Sequence, residues 1–461
     1  MFTSLLIANR GEIAVRIIRT AKRLGIRTVA VYSDADATAL HVREADDAVR
    51  IGGAPIQDSY LRGEVILAAA LEQGVEAVHP GYGLLSENAE FARSVGAAGL
   101  VFVGPTPEVI DAMGDKVRAR ALVATRGVPI ARGSSNPPAS AAEAAAQAAE
   151  IGFPLMLKAA AGGGGIGMSA VESAEELRRL FSSAQLRAER VFGTKELLLE
   201  QLIRPARHVE VQILGLSDGE VVALGERDCS VQRRFQKVVE ETPACGLNDG
   251  QRSGLHAAAV SAGEAVGYRG AGTVEFLVNP ETGEFSFLEM NTRLQVEHPI
   301  TEMVTGVDLV ELQLRIAAEE SFDFVVPSPL GHAIEFRLYA EDPVRMRPAP
   351  GRIDVWKLPE YKWFRVDTGY EGGAEVTPYY DPLIAKLCVH GATREQAIDR
   401  ARRALAETEV GPITTNLPLL IAILNDEQFA SGKYDTRLLE AGPADGPVTV
   451  HVAGHDRTAE N

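Results

Sequence analysis

The stretch Phe285-Ser286-Phe287-Leu288-Glu289-Met290-Asn291-Thr292-Arg293-Leu294-Gln295-Val296-Glu297-His298-Pro299 constrains this chain more than any other. It opens with the aromatic and apolar alternation of a buried strand. Glu289, Asn291, Arg293 and Glu297 then follow at odd positions, so a period of two predicts one face carrying two carboxylates, an amide and a guanidinium. A solvated strand face would tolerate that set, but Phe285, Phe287 and Leu288 argue for burial, where unpaired charge is costly.

Upstream, Gly272-Thr273-Val274-Glu275-Phe276-Leu277 has the same form, and Gly283 between the two runs reads as a hairpin turn. Glu275 and Glu289 are therefore expected to face each other across neighbouring strands. Two carboxylates and an amide oxygen from Asn291 are hard ligands, suited to Mg²⁺, or Mn²⁺ in its place, held between protein and substrate phosphates.

Leu5 to Ala8 reads as a buried strand, Arg10 to Leu24 as a helix and Thr28 to Tyr32 as a second strand, a β-α-β opening of a parallel sheet. The link Asn9-Arg10-Gly11-Glu12 is not the G-x-G-x-x-G dinucleotide fingerprint, so nicotinamide binding is not indicated. His79-Pro80-Gly81-Tyr82-Gly83-Leu84-Leu85-Ser86-Glu87-Asn88 is a Gly-rich turn ending in a Ser or Asn helix cap. Asp111 to Arg126 reads as a connecting helix containing Lys116, and the Ala-rich run Ala139 to Glu150 as a second helix.

Pro154 to Lys158 is a strand running into Ala159-Ala160-Ala161-Gly162-Gly163-Gly164-Gly165-Ile166-Gly167-Met168, with another strand from Met168 to Val171. Successive glycines free backbone N–H groups to approach a phosphate, as a hairpin lid over a nucleotide requires. Arg207 to Ile213 alternates as a half-exposed strand. Arg227, Arg233, Arg234 and Lys237 gather four cations in a chain of net charge -17 and suggest a polyanion site. That net charge argues against nucleic acid and anionic membranes as partners. Arg394 to Thr408 reads as an exposed helix.

Cys229, Cys245 and Cys388 are scattered without C-x-x-C spacing, so neither a disulfide framework nor a zinc site is indicated, and a reducing cytoplasm is the expected compartment. The N-terminus lacks a basic n-region, and the apolar run Leu417 to Leu424 is far below membrane-spanning length.

Taken together, the Glu289 to Pro299 stretch, Lys158 to Met168 and Arg227 to Glu241 resemble the biotin carboxylase family of ATP-grasp ligases, in the right order and over nearly the whole chain. The resemblance implies an α/β fold, α+β in parts. Its parts are a Rossmann-like parallel-sheet domain (1–114), a linker helix and ATP-grasp lid (115–203), an ATP-grasp central domain (204–330), a C-terminal mixed β domain (331–440) and a tail (441–461).

It further implies that Lys116, Lys158 and the lid glycines Gly163, Gly164 and Gly165 bind ATP phosphates, and that Glu200, Gln201, Leu202 and Ile203 form the hinge against adenine, with His208 on the nucleotide. Lys237 and Arg293 would hold bicarbonate, Glu297 would be the general base, Arg337 would face biotin, and the loop from His79 to Asn88 would lie at the rim near biotin.

The implied reaction is ATP-dependent carboxylation of carrier-bound biotin through carboxyphosphate, the first half-reaction of an acyl-CoA or related carboxylase. The implied assembly is a homodimer with a separate carboxyltransferase. The family's carriers present lysine in a Met-Lys-Met context, and no Met-Lys pair occurs here, so the biotin carboxyl carrier is expected to be a separate chain. Two positions depart from the family pattern. Ile166 replaces a basic residue in the lid and Phe235 replaces a histidine, each removing a polar partner for the nucleotide. Another ATP-grasp carboxylate ligase, or a nucleotide-binding subunit with weak catalysis, are the alternatives.

Overall fold

The computed structural model describes residues 1–134, 136–160, 168–345 and 347–440. The first sheet is parallel throughout, in the order Asp47–Gly52, Arg27–Ser33, Ser4–Ile7, Ala77–His79, Val101–Phe102. Its inner strands Ser4–Ile7 and Ala77–His79 are buried throughout because both faces are covered, while the edge strand Asp47–Gly52 is largely exposed. Leu5 and Ile7 join one core with Ile13, Ile17 and Ile18 of the helix Gly11–Arg23, while Leu6 and Ala8 join another with Val29, Val31, Ile66 and Phe91.

The expected connecting helix is two helices, Pro107–Gly114 and Lys116–Ala124. They part at Asp115, whose carboxylate accepts from the N–H groups of Val117 and Arg118, both at 3.0 Å. A glycine followed by a capping aspartate favours a new helix start over continuation, and this puts Lys116 in the first turn.

A three-stranded antiparallel sheet, Ser169–Val171, Leu155–Ala159 and Leu197–Gln201, forms the next unit, packed against Ala141–Ile151 and Ala174–Phe192. Leu155 pairs with Val171 as a hairpin requires. The glycines Gly162 to Gly165, with Ile166, lie outside the described residues.

The third sheet organises the rest. Eight antiparallel strands run Phe285–Asn291, Gly270–Val278, Arg207–Gly215, Val221–Arg233, Gln236–Thr242, His332–Tyr339, Leu383–Gly391, Phe364–Thr368. The sheet therefore crosses residue 330 without interruption, since Gln236–Thr242 pairs with His332–Tyr339. Arg207–Gly215 is buried along its whole length between two neighbours, not half-exposed. The polar members of its alternation face a charged interior instead of water.

The helix Arg394–Glu407 is amphipathic rather than simply exposed, with Ala397, Ile398, Ala401 and Leu405 in the core beneath it. Residues 441–461 lie outside the described residues. No helix among the described residues is long and apolar enough to cross a membrane.

Candidate active site

The hairpin reading holds at one edge of the large sheet: Glu275 pairs with Glu289 and Thr273 with Asn291 across antiparallel strands. The period-two argument for Arg293 and Glu297 does not hold. The strand ends at Asn291 and the chain turns before the helix His298–Thr305, with Glu297 as the residue preceding it. Pro299 in the first helical turn is compatible with a helix start and not with a central strand. Both residues nonetheless join the same buried charged cluster, one from a loop and one from a helix entrance, since Glu297 and Glu275 both act on the Arg293 guanidinium.

Lys237 lies at the convergence. Its ammonium is 2.5 Å from Glu210 Oε2, 2.9 Å from Glu275 Oε1 and 2.7 Å from Glu297 Oε1. Burial opposes its charge, but Cys229, Glu210, Glu275 and Glu297 around it hold the ammonium well above its ordinary range. Glu297 is in the reverse position: burial works against the carboxylate, and Lys237, Arg337 and Arg227 hold it well below the usual range. Arg337 donates to Glu297 Oε2 at 3.0 Å and to Glu240 Oε1 at 2.6 Å. Burial pushes the Glu240 carboxyl up to about 7 even with Arg337 beside it.

Toward the hairpin, Glu275 accepts from Asn291 Nδ2 at 2.9 Å and Gln295 Nε2 at 3.1 Å, and meets His208 Nε2 at 2.8 Å. Burial works against protonation of His208, but the Glu275 carboxylate beside the ring outweighs it and leaves the imidazole raised. The Glu289 carboxyl makes no hydrogen bond among the described residues, and burial together with Glu275 opposite raises it. A divalent cation relieves that condition, so Glu275, Glu289 and Asn291 fit a hard metal ion. His208, Glu210 and Glu275 also converge, as do Glu210, Cys229 and Glu297. The Lys237 ammonium already sits among the carboxylates of both groups, bonded to Glu210, Glu275 and Glu297.

Arg293 donates to Glu87 Oε2 at 2.9 Å, Asn291 Oδ1 at 2.9 Å and Gln295 Oε1 at 2.9 Å. The loop from His79 to Asn88 thereby meets the central stretch directly. Asn9 Nδ2 holds that loop through the carbonyls of Pro80 at 2.7 Å and Tyr82 at 2.8 Å. The approach is so close that a Cβ on Gly81, at φ +65°, would lie 2.8 Å from Asn9 Nδ2. Asn88, as expected, caps Ala89–Ala97.

On the lid side Lys158 donates to Glu200 Oε1 at 2.7 Å, and Arg120 to Glu200 Oε2 at 2.7 Å. Glu200 thus holds the cations with its side chain. The Gln201 N–H donates to Arg132 O at 2.7 Å and the Leu202 N–H to Pro154 O at 2.9 Å, which leaves Ile203 as the hinge residue whose amide has no such internal partner among those described. Burial lowers the Lys116 ammonium although Glu289 lies near, and it makes no ion pair among the described residues.

The expected basic cluster divides. Arg227 is fully buried against Glu210 at 2.6 Å and Lys237 enters the site, whereas Arg233 and Arg234 sit at a hairpin tip beside the exposed Phe235. Sequence reasoning missed Glu210, Glu240, Gln295, Glu87 and Arg120 as site residues. The alternation His208, Glu210, Gln212 carried a signal for Glu210, and the odd-position period through Arg293 and Glu297 carried one for Gln295; Glu240, Glu87 and Arg120 come from separate elements brought together only by folding.

The family "Biotin carboxylase, N-terminal domain" matches residues 1–110, "Carbamoyl-phosphate synthase L chain, ATP binding domain" residues 115–325, and "Biotin carboxylase C-terminal domain" residues 335–441. A biotin carboxylase of Halalkalibacterium halodurans is 52% identical over 438 residues, covering 95% of this chain and 97% of that one. The biotin carboxylase domain dimer of Hydrogenobacter thermophilus 2-oxoglutarate carboxylase, in complex with MgADP, ADP and bicarbonate, superposes with a TM-score of 0.93 at 47% identity, covering 95% of this chain and 97% of its own. Campylobacter jejuni biotin carboxylase in a β-γ-ATP complex gives a TM-score of 0.93 at 41% identity, covering 95% and 99%. Agreement in sequence, fold and length, around a site where carboxylates and cations alternate at hydrogen-bond distance, means that the chain belongs to the biotin carboxylase family.

Proposed function

We propose that this chain carboxylates biotin on a separate carrier protein, using ATP and bicarbonate through carboxyphosphate. The observation that carries the reading is the Lys237 ammonium, which touches Glu275 on the nucleotide side and Glu297 on the biotin side. One cation joins the place where phosphate charge must be neutralised to the place where a proton must be removed.

Lys116 and Lys158 hold the ATP phosphates, with Gly163, Gly164 and Gly165 as the lid and Glu200, Gln201, Leu202 and Ile203 along adenine. His208 lies on the nucleotide. Glu275, Glu289 and Asn291 hold Mg²⁺ or Mn²⁺, whose charge offsets that of the transferring phosphoryl group. Bicarbonate enters between Lys237 and the Arg293 fork, which matches a planar anion. As bicarbonate draws Lys237 away from Glu297, the carboxylate loses part of the field that depresses it and becomes a competent base.

Deprotonated bicarbonate attacks the γ-phosphorus, giving carboxyphosphate and ADP. Carboxyphosphate breaks to carbon dioxide and phosphate, and phosphate takes the ureido proton of biotin. Arg337 stabilises the resulting oxyanion, which attacks carbon dioxide. A homodimer working in the cytoplasm with separate carrier and carboxyltransferase chains completes the reading. ADP release measured with and without bicarbonate and free biotin tests it. Turnover that ignores bicarbonate would favour another carboxylate substrate, and no turnover would favour a nucleotide-binding subunit.

A further inference from the structure

The side chain of Glu297 is held by Lys237 and Arg337, but its main chain lies in a turn between strand and helix. Among the described residues two long-range bonds reach the main chain of that turn: the Thr292 N–H donates to Glu87 Oε1 at 3.2 Å where the turn begins, and a second bond holds the end next to Glu297. Lys386 Nζ, on the strand Leu383–Gly391, donates to the carbonyl of Val296 at 2.9 Å, the peptide that leads into Glu297. Lys386 is 0% exposed. Its other partners are Glu12 Oε2 at 3.0 Å and Asp367 Oδ2 at 3.7 Å.

These contacts come from separate parts of the fold. Glu12 belongs to the first helix and also accepts from the Tyr82 hydroxyl of the rim loop. Asp367 pairs in register with Lys386 on one side, and Arg337 pairs with Lys386 on the other. Adjacent strands therefore present two cations to one residue, Arg337 to the carboxylate of Glu297 and Lys386 to the peptide before it. Within the turn, His298 Nδ1 lies 2.8 Å from Gln295 O.

A buried ammonium is costly, and here Glu12 supplies the near countercharge, while Asp367 at 3.7 Å is shared with Arg365. The bond to Val296 adds placement of the turn. We propose that Lys386 is a positioning residue for Glu297, fixing the turn so that the carboxylate meets bicarbonate at the angle set by Lys237 and Arg337. Through Glu12 the same cation ties the turn to the N-terminal domain. The role rests on the reading of Glu297 as the base.

A double-mutant cycle tests it. Lys386→Met is combined with Glu12→Gln so that one buried carboxylate is not abandoned, and the pair is made in wild-type and Glu297→Gln backgrounds. Bicarbonate-dependent ADP release, ATP affinity by calorimetry and the thermal midpoint are measured on each. In the wild-type background the expected result is a kcat loss of about tenfold or more, with ATP Kd changed less than about twofold. In the Glu297→Gln background the same change costs less than about twofold.

Equal losses in the two backgrounds, or wild-type turnover beside a crippled Glu297→Gln enzyme, would overturn the positioning role alone. Wild-type turnover in Glu297→Gln itself would remove the base assignment and this role with it. If the Met variant does not fold, the cycle is run with Lys386→Gln, whose shorter side chain also breaks the tie to Val296.

Discussion

Lys237 Nζ and Glu297 Oε1 are 2.7 Å apart at the meeting of a strand hairpin and a helix start. Each fixes the charge of the other, so the proposed base rests in a form too strongly stabilised to accept a proton readily until substrate separates the pair. The site is thereby guarded against taking a proton when no bicarbonate is bound.

Glu289→Gln removes a carboxyl that is raised by burial and by Glu275 directly across the ladder. A raised acid weakens the fold above its unfolded pKa, so the neutral variant is expected to be more stable without ligand, by on the order of 1 kcal/mol. Its stabilisation by Mg²⁺ with nucleotide falls in the same experiment. Calorimetric unfolding with and without Mg²⁺-ADP measures both effects, and a variant that loses stability in the free state counts against the repulsion.

Arg337→Ser affects more than biotin. Because Arg337 holds Glu297 at 3.0 Å as well as facing the cavity, carboxylation falls by roughly 1.5 to 3 kcal/mol for a lost charge-assisted contact, while bicarbonate-dependent ADP release persists at a changed rate. ADP release beside label transfer to biotin separates the two. Loss of ATP binding in this variant would place Arg337 elsewhere in the cycle.

Phe235 is 41% exposed at its hairpin tip, next to the strand that carries Lys237. Phe235→His, with Ile166→Arg, is expected to tighten ATP severalfold, since each restored hydrogen bond contributes about 0.5 to 1.5 kcal/mol. Titration calorimetry decides it, and equal Kd values remove the proposal.

His79 is fully buried beneath the rim loop, where it accepts from the Gly81 N–H at 3.0 Å. Burial lowers its pKa from 6.5 to about 3. The unfolded chain therefore binds a proton that the folded one refuses, so this contribution is complete above about 6.5 and is lost as pH falls toward 3. His79→Asn, which keeps an acceptor for Gly81, should flatten the stability slope between pH 4 and 6 by about 1.4 kcal/mol per pH unit. Urea unfolding across that range is the measurement, and parallel slopes would contradict it.

Much of this was legible in the chain. The hairpin carrying Glu275 and Glu289 follows from period two and a glycine turn, and the parallel opening sheet follows from unbroken apolar runs. The strand Arg207–Gly215 was misread because alternation reports two different faces, not which of them meets water; here the second face meets buried charge. Arg293 and Glu297 were placed on a strand because the period continues through a bend that only Pro299 marks. Gln295 shares the odd-position period of Arg293 and Glu297 and was passed over, whereas Glu240 was not visible, since its importance comes from Arg337, which lies 97 residues away.

The most direct test of the assigned base is label transfer from radioactive bicarbonate to free biotin, run with ADP release for the wild-type chain and Glu297→Gln. The account predicts ATP-dependent incorporation by the wild type and a fall of both incorporation and bicarbonate-dependent ADP release to a small residual in the variant, because both half-reactions depend on deprotonated bicarbonate. Normal bicarbonate-dependent turnover by Glu297→Gln would contradict it.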